Sequence, residues 1–296
     1  MKQLTVISGK GGTGKTTITG TLAVLAQNKI IVDADVDAAN LFLLLNPQIK
    51  ESHKFFGGHK AVIDYSLCSG CGECIPICRF QAIHQDSSNQ VFIDSLSCEG
   101  CHICSYVCPP KAIKMEENLS GNWFISETEY GLFVHARLEP GEENSGKLVT
   151  EIRKKATQLA DKLSAGLIII DGPPGIGCPV IASLSGSDLT LVVTEPTPAG
   201  ISDLERAIQV ARHFKTKVAC CVNKYDLNLE RSREIEDWCR RENIPFYGHI
   251  PFTEEVIKSL HQNQPYLRLY PQGKASSALR NLWERIKKEL SLDSPS

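Results

Sequence analysis

The sequence predicts an α/β fold, a mostly parallel sheet with helices on both faces, carrying a small inserted α+β module. Three observations predict it. Short apolar strands alternate with amphipathic helices on either side of a cysteine-rich middle. The first strand opens into a glycine-rich loop that a helix follows. Eight of the twelve cysteines fall between Cys68 and Cys108, in two copies of one spacing.

Each element follows from its pattern. Leu4–Ser8 is a short apolar strand, Thr16–Gln27 has helical periodicity, and Lys29–Asp33 is the next strand. Beyond the cysteines, Asn122–Leu138 reads as a hairpin, with WFIS and LFVHARL around a turn. Then come helix Leu148–Leu163, strands Leu167–Asp171 and Leu189–Thr194, helix Ile201–Phe214, strand Lys217–Asn223, helix Leu229–Glu242 and strand Pro245–Ile250. The polar stretch Glu139–Gly146 reads as a solvated loop. Ser277–Leu290 sets Leu279, Leu282, Trp283, Ile286 and Leu290 on one helical stripe. Such a stripe suits a final helix docked on a sheet or a membrane-surface helix; its mixed charges favour the sheet.

Composition removes several classes. The 296 residues carry a net charge of −2, with 42% hydrophobic and 22% charged residues. That is a globular balance. Near-neutral charge argues against a general nucleic-acid binder. No apolar run approaches the ~18–20 residues of a membrane helix. The start, MKQLTVISGK, is too short and polar for an export signal. The expected location is cytoplasmic, where clustered cysteines read as metal ligands rather than disulfides.

Gly9 to Thr16, GKGGTGKT, fits G-x-x-x-x-G-K-[ST] between a strand and a helix. Gly9, Gly11, Gly12, Thr13 and Gly14 let the backbone curl so that successive N–H groups face one anion. The helix that follows, through Thr16 and Thr17, adds its positive end. Lys15 reaches the outer phosphates and Thr16 offers a hydroxyl to Mg²⁺. Asp171 ends the apolar strand LIIID, where it suits a Mg²⁺ shell. Asp33, Asp35 and Asp37 alternate at another strand exit.

The cysteine block repeats at an offset of 30 residues: Cys68, Cys71, Cys74 and Cys78 return as Cys98, Cys101, Cys104 and Cys108. Ile63-Asp64 recurs as Ile93-Asp94, and Ala82-Ile83 as Ala112-Ile113. C-x2-C-x2-C-x3-C, twice, is the bacterial ferredoxin pattern for two 4Fe–4S clusters, in which the fourth cysteine of each run ligates the other cluster. The predicted sets are Cys68, Cys71, Cys74 and Cys108, and Cys98, Cys101, Cys104 and Cys78. Zinc would need longer separations between ligand pairs. The module spans residues 58–116, which leaves 1–57 and 117–296 as the larger domain.

With these motifs in place the chain resembles the MinD/ParA/Mrp group of P-loop ATPases, and within it the members with an inserted ferredoxin domain. The residue that carries the resemblance is Lys10, the extra lysine after the first glycine of KGGTGKTT; DADVDAANL and IIIDGPPG extend it. The resemblance implies a P-loop NTPase sheet and an ATP-dependent homodimer in which Lys10 reaches the partner's phosphates. It implies that Asp35 orients the attacking water, Asp171 belongs to the Mg²⁺ shell and Gly175 is a switch glycine. It places Asn223 and Pro251 at the adenine.

The expected function is an ATPase switch coupled to two clusters, with electron transfer to or from a redox partner. Rival readings are an iron–sulfur carrier or assembly ATPase, and a redox-sensing positioning switch. Cys178 reads either as a small residue at a helix start or as a cluster-facing thiol beside the switch. Cys220, Cys221 and Cys239 read as buried. His102 lies within a cluster loop.

Overall fold

The computed structural model describes residues 1–142 and 145–292. The chain begins with β1 (Lys2–Ser8), α1 (Lys15–Leu25), β2 (Lys29–Asp33), α2 (Leu41–Leu45) and β3 (Gln48–Ile63). The cysteine region holds β4 (Ile83–Gln85), β5 (Val91–Ile93) and α3 (Ile103–Val107). Then follow β6 (Ile113–Thr128), β7 (Gly131–Leu138), α4 (Ser145–Leu163), β8 (Leu167–Pro174), α5 (Cys178–Leu184), β9 (Leu189–Thr194) and α6 (Gly200–His213). The chain ends with β10 (Lys217–Asn223), α7 (Leu229–Arg241), β11 (Phe246–Ile250), α8 (Glu254–His261), α9 (Tyr266–Leu269) and α10 (Ser276–Leu290). Two units emerge: Met1–His53, Trp123–Arg137 and Ser145–Ser296 form the first, Lys54–Asn122 and Leu138–Asn144 the second.

The larger sheet runs β11-β10-β9-β1-β8-β2-β7-β6-β3 among the described residues. From β11 to β7 every neighbour is parallel. Parallel strands buried on both faces read as continuous apolar runs, as Leu167–Ile170 does. Side chains still alternate between faces. Leu4, Val6 and Leu191 meet Ile18, Leu22, Leu279, Leu282 and Ile286 from α1 and α10. Ile7, Val192 and Val222 meet Val180, Leu204 and Ile235 from α5, α6 and α7 on the other face. The α10 stripe is therefore spent on the core: Trp283 and Leu290 are buried with the rest. No helix among the described residues is long and apolar enough to cross a membrane.

Two sequence expectations change, and one long strand goes beyond any of them. The hairpin is real but β6 begins at Ile113, because the polar run EENLSGN hides its period of two. β3 reaches back to Gln48 through ESHKFFGGHK, where Phe55 is buried and its neighbour Phe56 exposed. The stretch after Leu138 is not simply solvated. The Glu139 N–H donates to the Ser120 carbonyl at 3.0 Å, and the mostly buried Glu142 carboxylate takes Lys60 at 3.2 Å. Glu143 and Asn144 of that loop lie outside the described residues.

In the second unit the sequence repeat becomes a structural one. The Asp64 N–H donates to the Ala112 carbonyl and the Asp94 N–H to the Ala82 carbonyl, both at 2.7 Å. Each half thus closes on the other. β4 and β5 pair antiparallel, Ile83 opposite Ile93.

Candidate functional site

Five adjacent strands, β10, β9, β1, β8 and β2, deliver the polar residues of the first unit at their carboxyl ends. A crevice there is the usual ligand site of an open parallel sheet. The loop from Gly9 to Gly14 joins β1 to α1. Gly14 has φ +88°, and a Cβ there would lie 2.2 Å from Nδ2 of Asn223. That nitrogen donates to the Thr13 carbonyl at 2.8 Å, so Asn223 pins the loop. With Pro251, Gly12 and Thr17 it also lines a cavity of about 260 Å³.

Lys15 is buried at the start of α1, its Nζ 3.1 Å from Oδ1 of Asp171 and 3.5 Å from Oδ2 of Asp35. Burial alone would lower its pKa; Asp171, Asp35 and Asp33 outweigh that and raise it. Nζ also lies 3.5 Å from the Thr16 hydroxyl. Asp171 Oδ1 takes a second donor, the Thr19 hydroxyl, at 2.8 Å, while Oδ2 is buried with no hydrogen-bond partner among the described residues. A buried carboxylate oxygen left over in this way is suited to a cation or its water.

The three alternating aspartates separate by task. Asp33, wholly buried, accepts the N–H groups of Asp35 and Leu41 at 3.2 and 3.1 Å and so clamps the loop between them. Burial and the nearby Asp171 push its carboxyl well above the ordinary carboxylate range. Asp35 faces Lys15, and burial raises its pKa despite that lysine. Asp37 is exposed. Gly175 donates its N–H to the Ser8 carbonyl at 2.8 Å.

Lys10 Nζ lies 2.8 Å from Oε1 of Glu195 and 3.1 Å from the Thr197 hydroxyl. Glu195 and its second partner Lys224 escaped the sequence reading, as did Thr19. The signal was available for Glu195: like Asp33 and Asp171, it is a carboxylate at the exit of an apolar strand, LTLVVTE.

The second unit gathers its cysteines in two cavities. One is lined by Cys68, Cys71, Cys74 and Cys108. The other is lined by Cys78, Cys98, Cys101 and Cys104. Burial repeats with the sequence: Cys71 and Cys101 are exposed, Cys74 and Cys104 buried, the other four intermediate. The N–H groups of Ala82 and Ala112 donate to the sulfurs of Cys78 and Cys108 at 3.4 and 3.3 Å, and the Ala61 N–H to that of Cys98 at 3.5 Å. Burial first, then neighbouring thiols, raise the Cys74 pKa and push Cys104 to about 11. Crowded thiolates need a cationic partner, and the donor set fits an iron–sulfur cluster. No three His, Cys, Asp or Glu side chains among the described residues converge as ligands of one metal ion. A single tetrahedral ion at ~2.3 Å from each sulfur demands tighter convergence than a cube, which spreads four irons among its ligands.

All twelve cysteines are unbridged. Cys178 is exposed at the first turn of α5. Cys220, Cys221 and Cys239 are buried, and burial pushes the Cys221 thiol up to about 12.

Residues 4–266 match the CobQ/CobB/MinD/ParA nucleotide binding domain. An uncharacterized protein of Methanocaldococcus jannaschii is 33% identical over 291 residues, 96% of each chain. The cytosolic Fe-S cluster assembly factor NUBP2 of Mus musculus is 22% identical over 134 residues, 40% of this chain and 49% of the mouse protein. Among solved structures, the septum site-determining protein MinD of Pyrococcus horikoshii, complexed with Mg-ADP, has a TM-score of 0.63 at 17% identity, covering 100% of this chain and 99% of that one. That likeness is one of fold. Loop, fold and family match agree: the chain belongs to the CobQ/CobB/MinD/ParA nucleotide binding domain family, as a P-loop ATPase of the MinD/ParA type.

Proposed function

We propose that this protein is a Mg²⁺-dependent ATPase that closes into a homodimer around ATP and couples turnover to electron transfer through two 4Fe–4S clusters. The observation that carries the reading is the sorting of eight cysteines into two pockets of four, in the same chain as a phosphate loop whose lysine is already matched by carboxylates. Lys15 moves from Asp35 and Asp171 to the outer phosphates. The Thr16 hydroxyl and Asp171 belong to the Mg²⁺ shell. Asp35, its loop clamped by Asp33, orients the attacking water. Asn223 and Pro251 border the base, and Gly175 exchanges its bond to Ser8 as the switch responds. Lys10 neutralises charge on the partner's phosphates.

In this reading residues 58–116 are a ferredoxin module inserted in an ATPase domain of residues 1–57 and 117–296. Cys68, Cys71, Cys74 and Cys108 hold one cluster; Cys98, Cys101, Cys104 and Cys78 hold the other. Each cluster, when bound, supplies a one-electron redox centre. The N–H groups of Ala61, Ala82 and Ala112 stabilise ligand charge.

The similarity to a mouse protein named as an Fe-S cluster assembly factor favours a second reading, in which the protein builds or delivers clusters. One anaerobic experiment separates the two: ATPase rate and cluster potentials measured together, with and without nucleotide. A potential that shifts on ATP binding supports electron transfer. Fixed potentials with nucleotide-dependent release of iron and sulfide to an apo-acceptor support assembly.

A further inference from the structure

We propose that Glu195 is a latch: it holds Lys10 within its own protomer and sets how readily two copies close around ATP. The inference rests on the reading that Lys10 crosses such a dimer.

The carboxylate is held in a fixed place. Glu195 directly follows β9, and its carbonyl accepts the Thr197 N–H at 2.8 Å in a tight turn. A Cβ at Gly200 would come within 2.5 Å of that carbonyl, so the loop closes against a residue without a side chain. The Thr194 hydroxyl donates to the Gly200 carbonyl at 3.2 Å and fastens the other end.

The carboxylate divides its two oxygens between two lysines. Oε1 takes Lys10 at 2.8 Å and Oε2 takes Lys224 at 3.0 Å. The lysines are not equivalent. Lys224 also donates to the Gly12 carbonyl at 2.9 Å, which ties it to the phosphate loop. Lys10 is held by two side chains, Glu195 and Thr197, and about a third of it (35%) faces solvent. Removing one partner from a buried ion pair is ordinarily unfavourable because a charge is stranded. Here Glu195, 14% exposed, keeps Lys224 when Lys10 leaves. The arrangement therefore makes Lys10 the releasable partner, and dimer closure must open one such pair in each protomer.

The test is sedimentation of the full-length holoprotein with Mg²⁺ and a non-hydrolysable ATP analogue. Glu195→Gln keeps the shape and removes the charge. Its dimer dissociation constant should fall about tenfold, since each of two partly exposed pairs is worth up to about fivefold. Lys10→Ala should stay monomeric. Lys224→Met, at saturating nucleotide, leaves Glu195 to Lys10 alone and should weaken the dimer; if Glu195→Gln does not fold, this opposite shift carries the test. Wild type that dimerises, Lys10→Ala that does not, and Glu195→Gln no tighter than wild type would overturn the latch and leave the ATP-bound dimer standing. With Lys224→Met as the test, an unchanged or tighter dimer overturns it in the same way. Equal behaviour of wild type and Lys10→Ala would overturn the dimer reading, and the latch with it.

Discussion

The nucleotide site and the cysteine unit solve the same electrostatic problem in opposite ways. At the nucleotide site the chain supplies both signs of charge: Lys15 sits against Asp35 and Asp171, Lys10 and Lys224 against Glu195. In the cysteine unit eight thiols gather in two groups of four, and the small core of Ala61, Ile63, Ile83, Val91 and Ile113 counts Cys74 and Cys104 among its members. A site for an exchangeable ligand has to keep its shape when empty. A site for a resident group can take its shape from that group, and binding then becomes folding energy.

The largest expected effect follows. Anaerobically purified protein should hold about eight irons, four per cluster. Chelating that iron should strip amide protection from residues 54–122 while nucleotide binding survives, as hydrogen exchange and calorimetry would read. Full protection of 54–122 after iron removal would erase the contrast between the two regions.

Next in size is the inner charge cluster. Lys15→Ala strands two buried carboxylates, which should cost about 3–5 kcal/mol of stability and abolish ATP binding. Asp35→Ala removes one negative charge from a crowded group, so stability should hold and ATP should still bind while hydrolysis stops. Denaturant midpoints, calorimetry and turnover test the pair. A wild-type rate in Asp35→Ala would mean that another group orients the water.

His135, on β7, is a buried titratable group within the first unit, with no carboxylate partner among the described residues. It stacks on Phe133 at 4.5 Å, bonds Ser126 at 2.9 Å, and burial lowers its pKa to about 4. Unfolded, it binds a proton near its ordinary 6.5. Between these values the unfolded chain holds more protons. Its contribution is therefore complete above about pH 6.5 and is lost as pH falls toward 4, by at most about 3 kcal/mol. Asp33 and Asp35, with raised pKa values, act in the opposite sense. The difference between wild type and His135→Gln isolates the histidine. The change in urea midpoint from pH 5 to pH 7.5 should be less positive in the variant than in wild type.

Much of this was legible in the sequence, for physical reasons. The phosphate loop and the cysteine runs are local: their function needs fixed residue types at fixed spacing, so a few positions declare it. The parallel strands were legible because two-sided burial leaves continuous apolar runs. What stayed hidden is non-local or two-faced. β3 and the start of β6 mix charged, glycine and apolar residues, and only their pairing reveals them as strands. Asp33 could not be told from Asp35 by type, since one clamps a loop and the other faces a lysine through orientation alone. Lys10 was visible as an extra charge, but its counterion lies 185 residues away, where only the sheet order brings it near.

Thr19 supplies the finest test of the contrast, and the smallest effect. It lies one turn beyond Lys15 on α1, wholly buried, with its hydroxyl 2.8 Å from Asp171 Oδ1 and 3.1 Å from the Lys15 carbonyl. If the nucleotide site holds its own shape, that shape should depend on neutral donors as well as on charge. Thr19→Val keeps the volume and removes the donor, which should cost about 1–2 kcal/mol of stability, the usual loss for one hydrogen bond to a charged group. Asp171 keeps Lys15 at 3.1 Å, so ATP affinity should fall less than tenfold, far short of the Lys15→Ala loss. Thr19→Ser should restore both, because the hydroxyl alone matters. Chemical denaturation of the three proteins with and without Mg-ATP measures each term. A Thr19→Val protein as stable as wild type would show that Lys15 alone positions Asp171, and that the site is held by its charges and not by the helix beneath them.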